Sequence, residues 1–450
     1  MQHLGYITLV PTLVVITAAI ISRRPVASII LGVIIGILLY SPSKLLSSFA
    51  EISVTTMQDP QIGWIIIVCG LMGSLFYFLM ATGAVKAFTM RMASIANTRN
   101  KSVLITWFLG LTMFLDDYLN AIVIGNSMKK VTDKFKVSRS MLAYIVDSTA
   151  APTCVLVPIS TWAAYFSILL ESTETISSGQ GIYYYIAAIP FMFYPIIALI
   201  LVPLVATGKF PLIGPMKIEE TKAHQFTPSI NQVNEKQKEI NQNSQANMWG
   251  FILPLLILIA LTWLNDIDLL RGIIATLIIT VPVMIGLKFI DMNSAFDAIL
   301  DGFKVMIPPL MIVISAFMFK TINDQLGLPQ FILESVKPFM SPTLFPVIVF
   351  IAMAFMSFAT ASNWGIFAIA IPIVMPLGIA LEVPLPLTIG ALISASSFGS
   401  HACFYTDATV LSAQSCGVDT MKHALTQIPF AIVAALTASI VYIGYAYIVL

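Results

Sequence analysis

The sequence predicts an all-α polytopic membrane protein that is an inverted repeat of two halves, each with about five transmembrane helices plus a re-entrant hairpin. Of its 450 residues, 58% are hydrophobic and only 10% are charged, whereas a soluble domain carries about 25% charged residues. Apolar segments long enough to cross a bilayer, or nearly so, recur along the whole chain in two groups. The net charge of +1 excludes a large basic surface for nucleic acid.

A polar stretch separates the two groups of apolar segments. Residues 209–247 are rich in Lys, Glu, Gln and Asn, which predicts a solvated cytoplasmic linker. Residues 1–208 then form the first transmembrane repeat, and residues 248–450 form the second, inverted one. The apolar segments are 4–22, 25–40, 62–84, 102–127, 139–169 and 183–207 in the first group, and 249–264, 271–288, 305–320, 343–381, 385–415 and 426–450 in the second.

The two halves share short sequence patterns in the same order. Ser48–Glu51 resembles Ser294–Asp297 before the third apolar segment of each half. Ile189–Phe191 recurs as Ile428–Phe430 near the last segment of each half. Each match alone is weak, but their common order indicates an internal duplication.

The distribution of Lys and Arg predicts how two of the segments lie in the membrane. If 102–127 and 343–381 each enter and leave on one side, most of the 23 basic residues face the cytoplasm. Five spans and one hairpin per half then make the halves antiparallel, as in the inverted repeats of secondary transporters. The alternative is that both segments are ordinary spans, and the length of 102–127 is compatible with that reading.

Four carboxylates lie inside segments that must otherwise be buried in lipid. Asp116, Asp117, Asp147 and Asp407 have no Lys or Arg beside them in these segments. Each costs about 2.5–3.5 kcal/mol near the bilayer centre, or about 10 kcal/mol together. Acidic groups without basic partners bind cations, so the pattern predicts sites for Na+ or protons.

In the first half, two polar stretches carry this prediction. The first surrounds Asp116 and Asn120, which lie four residues apart on one helix face and are predicted Na+ ligands together with Asp147. Asp117 is predicted to carry a proton or to cap a neighbouring helix. The second stretch, Asp147–Trp162, contains two prolines that predict an interrupted span with carbonyl oxygens free to bind a cation. Its further predicted ligands, which hydrogen bonds back to the helix would equally explain, are Thr149, Ser160 and Thr161.

In the second half, neutral groups take the place of the first carboxylates. Thr360, Ser362 and Asn363 lie midway along 343–381, and they suit an anionic or zwitterionic solute group or an ion shell, although a plain turn would have a similar composition. Ser, Gly and Thr dominate Ser394–Ser412, which predicts an unwound helix that lines a cavity. In this stretch, Thr406 and His401 are predicted to bind the substrate. The His401 side chain is either a pH-sensitive group or a hydrogen-bond donor that serves packing.

Three motifs resemble those of the NhaC-type Na+/H+ antiporters. They are F-L-D-D-Y-L-N at 114–120, P-I-S-T-W at 158–162, and H-A-C-F-Y-T-D-A-T-V-L-S at 401–412 followed by T-Q-I-P at 426–429. That family belongs to the ion-transporter superfamily and includes malate/lactate exchangers coupled to Na+ and H+. The resemblance implies paired hairpins, an inverted repeat and a homodimer in which a transport domain moves against a scaffold. It also implies functional roles for Asp116, Asp117, Asn120, Asp147 and Asp407.

The leading hypothesis is therefore Na+/H+ antiport by alternating access in the cell membrane. Protons and Na+ compete for the same carboxylates, no cofactor is needed, and the partners are the two ions and membrane lipid. The chain departs from the family pattern after His401, where Phe404 and Tyr405 add an aromatic wall. The alternative is therefore coupled transport of a small organic acid or amino acid. A channel fits interrupted helices poorly, no nucleotide-binding loop is present, and no nucleophile–base–orienter set indicates an enzyme.

Overall fold

The structure is a computed structural model that describes residues 5–22, 24–172, 176–225, 248–265, 268–328, 331, 334–335, 340–360, 364–404 and 406–450. Within these residues all regular structure is helical, as predicted. The α-helices of the first half are α1 Val10–Ser22, α2 Pro25–Tyr40, α3 Leu45–Gln58, α4 Pro60–Ala81, α5 Ala84–Ser94, α6 Arg99–Thr112, α7 Asp117–Lys134, α8 Arg139–Leu156, α9 Thr161–Glu171, α10 Gly181–Ala188 and α11 Phe193–Ala206.

The predicted linker is described only as far as residue 225, where it contains α12, Pro215–Gln225. The helices that follow are α13 Trp249–Leu264, α14 Leu269–Gly286, α15 Met292–Val305, α16 Ile307–Leu326, α17 Phe345–Thr360, α18 Gly365–Ala380, α19 Leu385–Ala402, α20 Asp407–Cys416 and α21 Thr420–Val449.

Several of these helices can cross a membrane by length and composition. Among the described residues, 4 helices are long and apolar enough, or up to 6 spans if two bent pairs are each one span. The bent pairs are α8–α9, with an angle of 45°, and the helices on either side of residue 192, with an angle of 51°. The second bend lies inside the predicted segment 183–207 and was not expected.

The helices α6 and α7 form a hairpin whose two ends lie together. Glu220 of α12 accepts a hydrogen bond from Arg99 at the start of α6 (2.7 Å) and another from the backbone N–H of Ser138 just after α7 (2.8 Å). The far end of α6 reaches only the middle of α8, where Gly110 packs against Thr149. Thr149 lies about 16 Å along α8 from Ser138, so the tip of this first hairpin lies about that far from its base.

The helices α17 and α18 form the corresponding hairpin in the second half. The ring of Phe345, at the start of α17, lies against Gly378 near the end of α18. Close to the other end of α17, Ser357 packs against Gly399 of α19. The tip of this second hairpin therefore lies next to the end of α19.

The bases of the two hairpins lie at opposite ends of the helix pair α19–α20. The pair α19–α20 begins near the base of the second hairpin, where Thr388 contacts Gly378. It ends at Cys416, whose carbonyl accepts a hydrogen bond from Arg139 near the base of the first hairpin (2.8 Å). An inverted repeat requires this arrangement, although the repeat itself stays a prediction.

The break between α8 and α9 and the break between α19 and α20 have similar caps. In α8 the helix continues through Pro152 and stops at Leu156, so the interruption lies at Pro158 and not at Pro152. Ser160 caps α9 by accepting from the N–H of Ala163. In the other span, Thr406 caps α20 in the same way.

Candidate functional site

The tip of the first hairpin meets the first turn of α9. The N–H of Thr161 donates to the carbonyl of Leu115 (3.1 Å), and the Thr161 hydroxyl lies 3.4 Å from Oδ2 of Asp116. The indole N–H of Trp162 donates to Oδ1 of Asp117 (3.1 Å). Both carboxylates are buried, being 4% and 1% exposed. The positive end of the α9 dipole therefore lies beside two carboxylates.

The hairpin tip brings Asp116 and Asp117 together because its backbone is not helical there. Asp116 precedes α7, and Oδ1 of its carboxylate accepts from the N–H of Tyr118 (3.1 Å). Asp117 is the first residue of α7. The sequence predicted that Asp116 and Asp117 could face one site only at a tip with non-helical backbone. In the structure they contact Thr161 and Trp162, which are adjacent residues of α9.

Asn120 holds the tip together. Its Nδ2 donates to the carbonyls of Gly110 (2.8 Å) and Met113 (3.1 Å) in the first hairpin, and of Thr149 in α8 (3.1 Å). The bonds to Gly110 and Met113 satisfy carbonyls at the end of α6, and the bond to Thr149 joins the tip to the middle of α8. Its Oδ1 is buried and has no partner among the described residues, so one oxygen of Asn120 stays free for a ligand.

Asp147 lies on the other side of α8, against α20 and α21. Oδ2 of Asp147 accepts from Nε2 of Gln427 (2.6 Å), and it lies 3.1 Å from Nε2 of His423 and 3.5 Å from the hydroxyl of Thr409. Asp147 is 1% exposed and His423 is fully buried. One oxygen of Asp147 is therefore the meeting point of three polar side chains from α20 and α21.

Gln427 joins Asp147 to the second broken span. Its Nε2 also donates to the carbonyl of His401 at the end of α19. Both partners are acceptors, so this orientation of the amide is the one that satisfies them. The carbonyl oxygen of the Gln427 side chain is left without a partner in the described structure.

His401 is satisfied on both ring nitrogens. Nε2 lies 2.7 Å from the hydroxyl of Ser148, and Nδ1 lies 2.6 Å from the hydroxyl of Tyr194. Because a hydroxyl can donate or accept, a neutral imidazole fits in either tautomer. This geometry favours the packing role over the pH-sensitive role for His401.

Among the described residues, two buried carboxylate oxygens lack a hydrogen-bond partner. Oδ2 of Asp117 and Oδ1 of Asp147 are both buried, and neither has a hydrogen-bond partner among the described residues. Most buried polar atoms in proteins are paired, and an unpaired carboxylate oxygen is especially costly. A proton or a cation bound at either oxygen would remove that cost.

The predicted hydroxyl ligands are mostly engaged by the helices themselves. Thr149 donates to the carbonyl of Ile145 (2.8 Å), and Ser160 donates to the carbonyl of Cys154 (2.7 Å). Thr406 likewise donates to the carbonyl of Ser400 (2.9 Å). The first broken span thus uses a hydroxyl to satisfy one of the carbonyls that were predicted to bind a cation.

Four predicted site residues lie wholly or partly outside the described structure. Ser362 and Asn363 fall outside the described residues. Thr360 ends α17 and Asp407 begins α20, but only their backbones are described. Their roles stay predictions.

The sequence analysis assigned no role to Trp162, Thr409, His423 or Gln427. Trp162, Thr409 and Gln427 stand inside the quoted motifs, so those motifs already contained the signal. His423 lies before the predicted segment 426–450, yet α21 starts at Thr420 and is capped by Asp419. An N-cap residue followed by an apolar run is the signal that would have extended this helix.

Comparison with known proteins identifies the family of this chain. The Na+/H+ antiporter family matches residues 173–446. An uncharacterized protein of Haemophilus influenzae is 28% identical over 481 residues, which cover 98% of this chain and 91% of that protein. The malate-2H(+)/Na(+)-lactate antiporter of Bacillus subtilis is 31% identical over 111 residues, or 24% of each chain.

Two solved structures share the fold. The antimetabolite efflux pump MtrF of Neisseria gonorrhoeae has a TM-score of 0.62 and 12% identity, covering 90% of this chain and 85% of that one. The YdaH transporter of Alcanivorax borkumensis has a TM-score of 0.60 and 11% identity, covering 90% and 89%. At this identity the likeness concerns the fold alone.

Proposed function

The chain belongs to the Na+/H+ antiporter family, and from this premise we propose that it exchanges Na+ for protons at its buried aspartates. Family membership and the apolar helices make it a multi-pass membrane protein and a secondary transporter. The choice of ions, the residues that bind them, the cell membrane as its location and a homodimeric state are part of the proposal.

One observation carries the proposal most directly. Asp117 and Asp147 each keep a buried carboxylate oxygen with no partner among the described residues. Hard cations take oxygen ligands, and a carboxylate oxygen accepts a proton equally well. Each free oxygen therefore suits either of the two exchanged ions.

Competition at these oxygens is sufficient for exchange. A bound Na+ neutralises a carboxylate, and so does a proton, but an empty site leaves charge buried in low dielectric. If only the neutralised site can move between the two sides, one ion must replace the other in every cycle. Alternating access then needs a moving element, and the two hairpins with the broken spans α8–α9 and α19–α20 supply it.

The unpaired oxygen of Asn120 supports a Na+ site at the first hairpin tip. Asn120 and Asp117 lie within one turn of α7, and the Asn120 Oδ1 has no partner in the described structure. We place Na+ at Asp116, Asp117 and Asn120. We place the competing proton at Asp117 and Asp147.

The first test is Na+-driven proton movement in liposomes that contain a pH-sensitive dye. Asp117→Asn and Asp147→Asn should each lower the Na+-driven pH change by at least about tenfold, equivalent to 1.4 kcal/mol. Asp301→Asn is the matched control, because Asp301 pairs with Lys304 on an exposed helix face. Full Na+-driven proton flux in Asp147→Asn would remove the basis of the mechanism.

A second candidate function is coupled transport of a small organic acid or amino acid. It is supported by the local match to the malate-2H(+)/Na(+)-lactate antiporter and by aromatic residues beside the second break, where Phe404 packs against Phe358 at 5.4 Å between ring centroids. The same liposomes, supplied with malate, lactate or amino acids, separate the two functions. Na+ movement that appears only with one solute, and is lost in Asn363→Ala, would favour the coupled transporter.

A further inference from the structure

Helix α9 contacts the tips of both hairpins. At its start, Thr161 and Trp162 bind the tip of the first hairpin at Leu115, Asp116 and Asp117. One turn further along, the hydroxyl of Tyr165 donates to the carbonyl of Trp364. Trp364 directly precedes α18, so it belongs to the tip of the second hairpin.

The second contact is aromatic as well as polar. The ring centroids of Tyr165 and Trp364 are 4.2 Å apart, and those of Trp162 and Trp364 are 5.9 Å apart. Next to these contacts, Phe166 of α9 packs against Phe367 of α18, with ring centroids 5.7 Å apart. All of these side chains are buried.

Trp162 and Tyr165 lie on one face of α9 because residues three apart on a helix are neighbours. Trp162 donates to Asp117 with its indole N–H and also contacts Trp364 with its ring. A shift of Asp117 when its carboxylate gains a cation is therefore passed to a packed and rigid group that ends at the second hairpin. Close-packed interiors transmit such shifts.

We propose that α9 couples ion occupancy at the first hairpin tip to the position of the second tip, with Tyr165 as the positioning residue for the second. This inference rests on the proposed Na+ site at the first tip. It identifies Trp162, Tyr165 and Trp364 as residues that control coupling without binding an ion. Their loss should affect the transmission between the tips more than the affinity for Na+.

The test compares Tyr165→Phe with Tyr185→Phe. Each substitution removes one buried hydroxyl that donates to a backbone carbonyl, but Tyr185 donates to Val155 of α8 (2.6 Å) and not to a hairpin. Hydrogen–deuterium exchange is measured with and without Na+ on the first turns of α7 and of α18. Na+ should slow exchange at both places in the wild type and in Tyr185→Phe.

In Tyr165→Phe, Na+ should still protect α7 while its effect on α18 is largely lost. The Na+-driven proton flux should fall about fivefold, the change expected from losing one net hydrogen bond, with the Na+ concentration for half-maximal binding unchanged. Similar melting temperatures for the two variants would exclude a general loss of stability.

The experiment distinguishes a failure of the proposed Na+ site from a failure of the proposed coupling. If Na+ leaves α7 unaffected in the wild type, the proposed Na+ site is wrong. If Na+ protects α7 but not α18 in the wild type, then α9 does not couple the tips. If Na+ protects both equally in Tyr165→Phe, then Tyr165 is not the positioning residue and the proposal is wrong as stated. In both of these cases the proposed exchange activity still stands.

Discussion

The break between α8 and α9 resembles the break between α19 and α20 in its backbone and differs in its surroundings. In each, the residue that caps the new helix donates its hydroxyl to the carbonyl six positions earlier: Ser160 to Cys154, and Thr406 to Ser400. The hydroxyl thus closes a gap in the hydrogen bonding that a helix end would otherwise leave open in lipid.

The surroundings of the two breaks carry different charges. The first break lies against Asp116 and Asp117, which accept hydrogen bonds from Thr161 and Trp162. At the second break, Thr409 donates to the carbonyl of Cys403 (2.8 Å) and lies 3.5 Å from Oδ2 of Asp147. Two similar backbone breaks therefore differ in the described carboxylates beside them, which are Asp116 and Asp117 at the first and Asp147 at the second.

The largest loss of stability should come from the base of the first hairpin. An ion pair holds that base together, whereas apolar packing holds the base of the second hairpin. Glu220→Ala leaves Arg99 and the N–H of Ser138 without their shared acceptor. It should lower the free energy of unfolding by about 3 kcal/mol, as expected for breaking a buried ion pair. The measurement is thermal or denaturant unfolding in detergent.

The control for this prediction is Glu219→Gln. Glu219 pairs with Lys222 and Lys422 at the more exposed face of α12. Pairs of this kind contribute about 0–1 kcal/mol. Equal losses for the two variants would mean that the charged tie at the hairpin base adds nothing specific.

A smaller effect is expected where each hairpin packs closely on its broken span. Gly110 of the first hairpin has no room for a Cβ because of Thr149, and Gly399 has none because of Ser357 of the second hairpin. Gly110→Ala and Gly399→Ala should each cost about 1–3 kcal/mol by overpacking. The measured quantity is again the unfolding free energy.

Gly286→Ala is the control for both glycines, because a Cβ there meets nothing. A Gly→Ala change in an open helix position should be neutral or stabilising. If Gly110→Ala matched that control, the hairpin would have room to move away from α8 at little cost.

The smallest effect should distinguish the two caps. Ser160→Ala and Thr406→Ala each remove an N-cap, which costs about 0.5–2 kcal/mol. Thr406 also contacts the hydroxyl of Thr409 (2.9 Å), which in turn reaches Asp147. We therefore expect Thr406→Ala to reduce Na+-driven proton flux more than Ser160→Ala does at equal loss of stability. Equal flux in the two variants would show that the contact with Asp147 does not matter.

Much of this architecture was predictable from local sequence. Low charge and long apolar segments predicted a helical membrane protein, and the motifs predicted the antiporter family, which the family match confirms. The adjacent aspartates at 116 and 117 marked the tip of the first hairpin, and the proline at 158 marked a position where a helix cannot continue cheaply. The structure places a hairpin tip and a helix break at those positions.

The partners of the aspartates could not be predicted in the same way. Asp147 meets His423 and Gln427, which are 276 and 280 residues away in the chain. Asp116 lies just before α7 and its carbonyl accepts from the N–H of Asn120 (3.1 Å), whereas the side chain of Asn120 donates to carbonyls of α6 and α8, which its spacing from Asp116 did not predict. Spacing along a helix says nothing about where the helix begins or which helix it faces.

The sequence by itself determined the membrane class, the family and the helix break at Pro158, because these depend on composition and on local backbone chemistry. Only the tertiary structure decided which donor meets which carboxylate, which oxygens stay unpaired, and that α9 touches both hairpin tips. Those relations depend on how helices distant in the chain pack face to face. A small rotation of one helix would change every partner without changing a single local propensity.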